Sequence, residues 1–150
     1  MTPENKNISW KARLAFNIEL WLTARAIPFL ASKKSLSKNL ELAEATVNSG
    51  YLCLNHAYIE KKIRRVVRGP ILMRDRRCLR IGILGYRFLC KAGYSPELHF
   101  GVSPDSILQS RIDAHCWVCI DGKPVIGEPE PNMLTVHIHS ANLGRIAPHI

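Results

Sequence analysis

The first half of the chain spaces its apolar residues as amphipathic helices do, and the second half alternates apolar and polar positions as strands do. The helical spacing predicts helices over about 10–26, 40–47 and 55–68, and a fourth that follows Asp75 and ends at Gly93. The alternation predicts strands over about 97–102, 114–120, 123–128 and 133–139. Helices followed by strands predict one α+β domain over 1–150, with a helical part at about 9–93 and an antiparallel sheet at about 97–139.

Two predicted helices carry specific expectations. The first begins after Ser9 and ends at Ile27-Pro28, and its buried face is predicted from helical spacing to consist of Leu14, Ile18, Trp21 and Leu22. The fourth is apolar nearly all round and should lie centrally. Gly82 and Gly85 within it would each cost roughly 1 kcal/mol in an exposed helix. Close packing of this helix against the sheet explains them.

Composition narrows the class of protein. With 150 residues, 47% of them hydrophobic, the chain can bury a core, and no apolar run reaches the length of a membrane span. Five cysteines, an odd number without regular spacing, favour free thiols in a reducing compartment, so we expect a cytoplasmic protein. Of these, Cys53 and Cys90 are expected to be core thiols.

The net charge of +9 is concentrated in one stretch. Between Lys61 and Arg80, a single acidic residue, Asp75, accompanies the basic ones, which are Lys61, Lys62, Arg64, Arg65, Arg68, Arg74, Arg76, Arg77 and Arg80. Such a patch can bind an acidic peptide segment or nucleic acid, or it can be a solvated helix face. Nucleic acid is the less favoured partner, because the chain has no interleaved surface aromatics and no DNA-binding signature.

Cys78 and His115 form the candidate catalytic pair. Cys78 falls in the first turn of the fourth helix, where the helix dipole favours a thiolate. His115 lies at the start of the strand Ala114–Ile120 and can serve as its base. Trp117 shares the strand face of His115 and is a candidate either for a wall of the site or for core packing. This pattern is typical of a cysteine acyl-transfer enzyme.

The pairing of residues in the predicted hairpin indicates a third catalytic residue, an acid. If Asp121-Gly122 is a two-residue type I′ turn, Ile120 pairs with Lys123 and His115 lies opposite Glu128. A carboxylate there could orient the imidazole. Asp121 is the alternative acid, and a bulge would shift the register and could favour Glu130 instead.

These residues resemble a known family. Arg77-Cys78-Leu79-Arg80, the apolar helix ending near Gly93, the strand into Phe100-Gly101-Val102, and Ala114–Val118 before Asp121-Gly122 are similar to the stand-alone leader peptidase of lasso-peptide biosynthesis, a transglutaminase-like cysteine protease. The resemblance covers about 55–130. It implies a papain- or transglutaminase-like fold that removes the leader from a ribosomally made precursor peptide, with Cys78 as nucleophile, His115 as base and Glu128 as the acid.

The family also implies two partner proteins, a small leader-recognition protein and an ATP-dependent macrolactam synthetase. Arg64, Arg65, Arg68, Arg77 and Trp117 are then candidate contacts of substrate or partner. The sequence departs from the family at Cys116, where alanine is usual, at Cys119, where a polar residue is common, and in having Glu rather than Asp as the acid. Because of these departures, the identity of the third catalytic residue, the acid, stays open.

Two other interpretations of the sequence stay open. A non-catalytic basic module that binds nucleic acid or a partner protein through 61–80 is one, and the same fold catalysing another Cys-dependent acyl transfer, such as amide formation, is another. We expect no cofactor and no metal. Cys116 and Cys119 are three apart on one strand, so they point to opposite faces, and no second Cys pair accompanies them.

Overall fold

The computed structural model describes residues 9–31, 35–68 and 77–140, and these form an α+β domain as predicted. Four helices come first: α1 (Trp10–Ala31), α2 (Leu36–Ala43), α3 (His56–Val67) and α4 (Arg77–Lys91). Four strands follow: β1 (Pro96–Val102), β2 (Ala114–Ile120), β3 (Lys123–Ile126) and β4 (Leu134–Ser140). Asp75, after which the fourth helix is predicted to begin, lies outside the described residues.

The strands form one antiparallel sheet in the order β3-β2-β1-β4. Asp121 and Gly122 connect β2 to β3 with φ angles of 50° and 74°. Positive φ at both central residues is the requirement of a type I′ turn, so the predicted hairpin is confirmed. The hairpin places His115 near the start of β2 and Glu128 just beyond β3.

Helix α4 packs directly on the sheet, and its two glycines allow the close approach. A Cβ at position 82 would lie 2.9 Å from Cys116 Sγ, and one at position 85 would lie 2.8 Å from Ile126 Cδ1. Side chains at these positions would push the helix away from β2 and β3. The prediction from Gly82 and Gly85 is therefore confirmed.

The C-terminal end of α4 is closed as expected. Gly93 has φ of +86°, and the N–H groups of Gly93 and Tyr94 donate to the carbonyls of Cys90 and Leu89. This is a Schellman arrangement, in which a residue with positive φ satisfies the last carbonyls. At the start of α3, the Asn55 side chain accepts from the Tyr58 N–H at 2.7 Å.

Helix α1 does not end at Pro28, contrary to prediction. Proline has no N–H, so the carbonyl of Ala24 lacks its usual donor four residues ahead. Arg80, only 7% exposed, supplies donors instead, with its Nε at 3.1 Å and Nη2 at 2.6 Å from that carbonyl. A buried arginine from α4 thus lets α1 continue to Ala31, and Arg80 does not belong to the basic surface.

The predicted buried face of α1 is also wrong. Phe16, Leu20, Ala24 and Ile27 are buried, whereas Leu14, Ile18, Trp21 and Leu22 are about half exposed, as is Trp10. Because α1 is apolar on more than one side, its spacing did not distinguish the face that meets α3 and α4. Two further expectations fail: α2 lies four residues earlier than predicted, and Cys53 is exposed, while Cys90 is buried as expected.

Within the described ranges, none of the helices is both long enough and apolar enough to cross a bilayer.

Candidate active site

Cys78 occupies the second position of α4 and is half-buried. The first N–H groups of a helix have no acceptor within the helix, and they carry the positive end of its dipole. A thiolate at this position is therefore stabilised by the backbone. The close contact of α4 with the sheet brings the same thiol against the beginning of β2.

His115, the second residue of β2, lines two cavities together with Cys78. It pairs with Gly101 of β1. A Cβ at Gly101 would lie 2.9 Å from ring atoms of Trp117, so the glycine makes room for the indole. The fold thus brings the predicted pair, Cys78 and His115, into one cleft.

The His115 ring is held from two sides. Trp117 stacks on it with an interplanar angle of 24° and ring centroids 6.2 Å apart. The His115 Nε2 lies 3.0 Å from the backbone carbonyl oxygen of Glu128. A carbonyl only accepts, so Nε2 carries the hydrogen and Nδ1 of the neutral ring is left as the basic nitrogen. Trp117 is buried, so it positions His115 and is not an exposed wall.

The surroundings of Cys78 favour its thiolate. A hydrogen bond from the Cys116 thiol, with a hydrogen bond and the positive charge of His115, lowers the pKa of Cys78 to about 5, although burial opposes this. The pKa of Cys116 is raised by the same hydrogen bond and by burial. Cys116 therefore stays protonated and donates, while Cys78 is the thiol of the pair that ionises.

The predicted pairing of His115 with Glu128 is wrong. Ile120 pairs with Lys123 and Cys119 with Pro124, as predicted, but Val118 pairs with Ile126. The extra residue, Val125, shifts the register by one, and the pairing of β2 with β3 ends at Ile126, so Glu128 is not paired with His115.

It is the backbone of Glu128, and not its exposed carboxylate, that contacts His115. Among the described residues, His115 forms no ion pair with any carboxylate. The alternative acid, Asp121, stays in the exposed turn, and Glu130 is exposed with its carbonyl bonded to Met133 N–H.

Two arms of the cleft meet at Cys78. The larger, of about 550 Å³, is mostly apolar, with walls that include Leu79, Phe100, Val102 and Val136. Val136 is the extra residue of a bulge, because Phe100 pairs with His137 and Gly101 with Thr135. Bulges of this kind redirect a side chain next to a site.

The smaller arm, of about 510 Å³, is basic, with Arg64 and Arg77 among its walls. Arg64 also pairs with Glu60 at 2.9 Å. Arg65 and Arg68 are exposed and line neither arm. Of the basic residues predicted to bind substrate or partner, Arg64 and Arg77 are therefore the two that reach the cleft.

Two residues of the site were missed as functional candidates. The sequence predicts no catalytic role for Cys116, although strand alternation next to Gly82 indicates a side chain facing α4. Asn39 lies in α2, is 3% exposed, and lines the larger arm with Cys78. No sequence signal marked it, because α2 was predicted to begin after it.

Within the described residues, no group of three His, Cys, Asp or Glu side chains is placed to hold a metal ion. The arrangement that is present, an activated thiol beside an oriented imidazole, is suited to nucleophilic acyl transfer.

Comparison with protein families matches residues 13–138 to the transglutaminase-like superfamily. The chain belongs to that superfamily. Its members are generally thiol enzymes, peptidases and transglutaminases, which agrees with a thiol nucleophile at Cys78. No curated protein and no solved structure gave a significant match.

Proposed function

We propose that this transglutaminase-like protein is a cysteine peptidase that removes the leader from a ribosomally synthesised precursor peptide, as in lasso-peptide maturation. The observation that carries the proposal is the juxtaposition of Cys78 and His115 in one cleft. The lowered pKa of Cys78 means that its thiolate is the main form at neutral pH. The leader-peptide substrate is suggested by the sequence motifs around these two residues.

In the proposed reaction, the Cys78 thiolate attacks the carbonyl carbon of the leader–core junction, and the carbonyl π electrons move to oxygen. When the tetrahedral intermediate collapses, the C–N bond breaks and protonated His115 gives its proton to the leaving amine. Water then attacks the thioester with His115 as base, which releases a carboxylate and restores the thiol. The Cys78 backbone N–H is one donor for the oxyanion.

The carbonyl of Glu128 takes the orienting part in this scheme, because it fixes the hydrogen on Nε2 of His115. Lasso-type maturation would add a leader-recognition protein and an ATP-dependent macrolactam synthetase as partners. The five free cysteines suit the reducing cytoplasm, which is the proposed location.

The test is cleavage of a proteome-derived peptide library, supplemented with synthetic lasso-type precursors, in ¹⁸O-labelled water. We expect new C-termini that carry the label and are absent with Cys78→Ala or His115→Ala. New amide bonds to added amines, without label, would instead indicate a transamidating enzyme of the same fold. Products equally abundant with Cys78→Ala would contradict the proposal.

A further inference from the structure

Asn39 is a buried polar residue whose side-chain oxygen has no hydrogen-bond partner among the described residues. It lies on the side of α2 that packs towards α4, one turn after Leu36, and both residues line the larger arm of the cleft. Its backbone N–H is used in the helix, bonded to Ser35 O at 3.1 Å. The side-chain amide is therefore the group that needs explaining.

A buried carbonyl oxygen without a hydrogen-bond partner is costly to the fold. Leucine, which branches at the same carbon although it is larger, would fill the same place between α2 and α4 without that cost. The amide carries two N–H donors and one carbonyl acceptor, and rotation about its last bond exchanges them. The amide nitrogen is not among the buried atoms without a partner, so it is the part of this side chain that is available to a ligand in the cavity.

The position of Asn39 selects the ligand atom. Asn39, Cys78 and His115 all line the larger arm, so the carbonyl carbon of a substrate bound in that arm lies between these walls when Cys78 attacks it. The oxygen of that carbonyl becomes negatively charged as the C–S bond forms. The Cys78 backbone N–H approaches this oxygen from α4, and α2 presents a second donor from the other wall.

We propose that Asn39 is a catalytic residue, whose side-chain N–H donates to the oxyanion of the tetrahedral intermediate together with the Cys78 backbone N–H. This assignment rests on the proposed function, since it needs acyl transfer at Cys78. It explains why a residue whose buried oxygen has no partner lines the same cavity as the thiol.

Two reagents for Cys78 separate this role from a structural one. p-Nitrophenyl acetate acylates a thiolate through a tetrahedral oxyanion, breaks its ester C–O bond and releases p-nitrophenolate. Iodoacetamide alkylates the same thiolate by displacing iodide, and no oxyanion forms. A residue that stabilises only the oxyanion affects the first reaction and leaves the second unchanged.

The experiment compares the wild-type chain with Asn39→Leu and Asn39→Ala near neutral pH, following p-nitrophenolate release and the mass of the Cys78 peptide. We expect both variants to slow acylation about 100-fold, the usual effect of removing one oxyanion donor. Alkylation should stay within about twofold, and Asn39→Leu should melt at the wild-type temperature or above it. Lys38→Ala, an exposed neighbour on α2, is the matched control and should change neither rate.

Wild-type acylation rates in both Asn39 variants would overturn the role of Asn39 alone. An equal slowing of acylation and alkylation would also overturn it, because that result indicates a structural contribution to Cys78. If the wild-type Cys78 is acylated no faster than the exposed Cys53, the proposed function fails, and the role of Asn39 fails with it.

Discussion

The two ends of α4 carry the same side chain in opposite chemical states. At the first turn, hydrogen bonds from Cys116 and His115 lower the pKa of Cys78 to about 5. Near the last turn, burial and the negative charge of Glu44 raise the pKa of Cys90 to about 12. The helix dipole reinforces this difference in pKa, because it favours a thiolate at the start of the helix and disfavours one at the end.

This contrast shows that the reactivity of a thiol here depends on what the fold places next to it. The two cysteines lie about 18 Å apart along one helix, so they meet different neighbours. Gly82 allows β2 to come close to the N-terminal half of α4, which brings Cys116 and His115 to Cys78. Among the described residues, no histidine acts on the pKa of Cys90, and its surroundings keep the thiol neutral.

The largest expected effect comes from deleting one thiol at a time. Cys78→Ala should reduce acylation by p-nitrophenyl acetate to the level of the remaining cysteines, because the nucleophile is gone. Cys90→Ala should keep the wild-type rate and cost about 1 kcal/mol of unfolding free energy through the lost packing of one sulfur. Burst kinetics measure the acylation rate, and urea unfolding measures the free energy of unfolding. A burst that persists in Cys78→Ala would contradict the claim that Cys78 is the reactive thiol.

Removing the imidazole should make Cys78 more like an ordinary cysteine. His115→Ala loses a hydrogen bond and a positive charge that stabilise the thiolate, so the pKa of Cys78 rises and alkylation at about pH 6 slows about tenfold. His137→Ala, an exposed histidine on β4, is the control. An unchanged alkylation rate in His115→Ala would mean that the imidazole does not activate the thiol.

A change that pushes α4 away from the sheet should lower the stability of the fold that gives Cys78 and Cys90 different surroundings. In an exposed helix, replacing glycine by alanine stabilises by roughly 1 kcal/mol. At Gly85 the new Cβ would lie 2.8 Å from Ile126 Cδ1, so we expect Gly85→Ala to destabilise by about 1–3 kcal/mol, as overpacked cores do. Urea unfolding gives the sign, and a stabilised variant would show that α4 does not pack as described.

The smallest effect concerns charge in the basic arm. Iodoacetate is negatively charged and iodoacetamide is neutral, so Arg64 and Arg77 should favour iodoacetate at Cys78. Neutralising both, as Arg64→Ala with Arg77→Ala, should lower the ratio of the two rates about threefold at low salt, less at high salt. Arg65→Ala with Arg68→Ala is matched in charge and lies outside both arms. Equal changes in the two double variants would indicate only a long-range field.

Local rules were enough to predict much of the fold. The type I′ turn, the sheet strands, the Schellman end at Gly93 and the packing role of Gly82 and Gly85 all follow from glycine conformation and alternation. The buried face of α1 could not be predicted, because apolar residues lie on several sides and only tertiary contacts choose among them. Its continuation past Pro28 depends on Arg80, a residue far along the chain.

The site was predicted less completely. Cys78 and His115 were found because a thiol at a helix start and a histidine on a strand are visible in sequence, and the structure brings them together. The contact to His115 from the Glu128 backbone depends on a bulge at Val125, which no local pattern indicates. Asn39 comes from a different helix, and the missing partner of its buried oxygen is visible only in three dimensions.

The most direct test of the central claim is the pH dependence of alkylation at Cys78 and Cys90 in one sample, resolved by mass spectrometry. The thiolate is the reacting form, so each rate rises with pH through the pKa of its thiol. We expect the Cys78 rate to rise to half its plateau near pH 5 and to be flat at neutral pH, while Cys90 stays unlabelled throughout. A Cys78 midpoint near the ~8.5 of a free thiol, or equal labelling of both, would contradict the account.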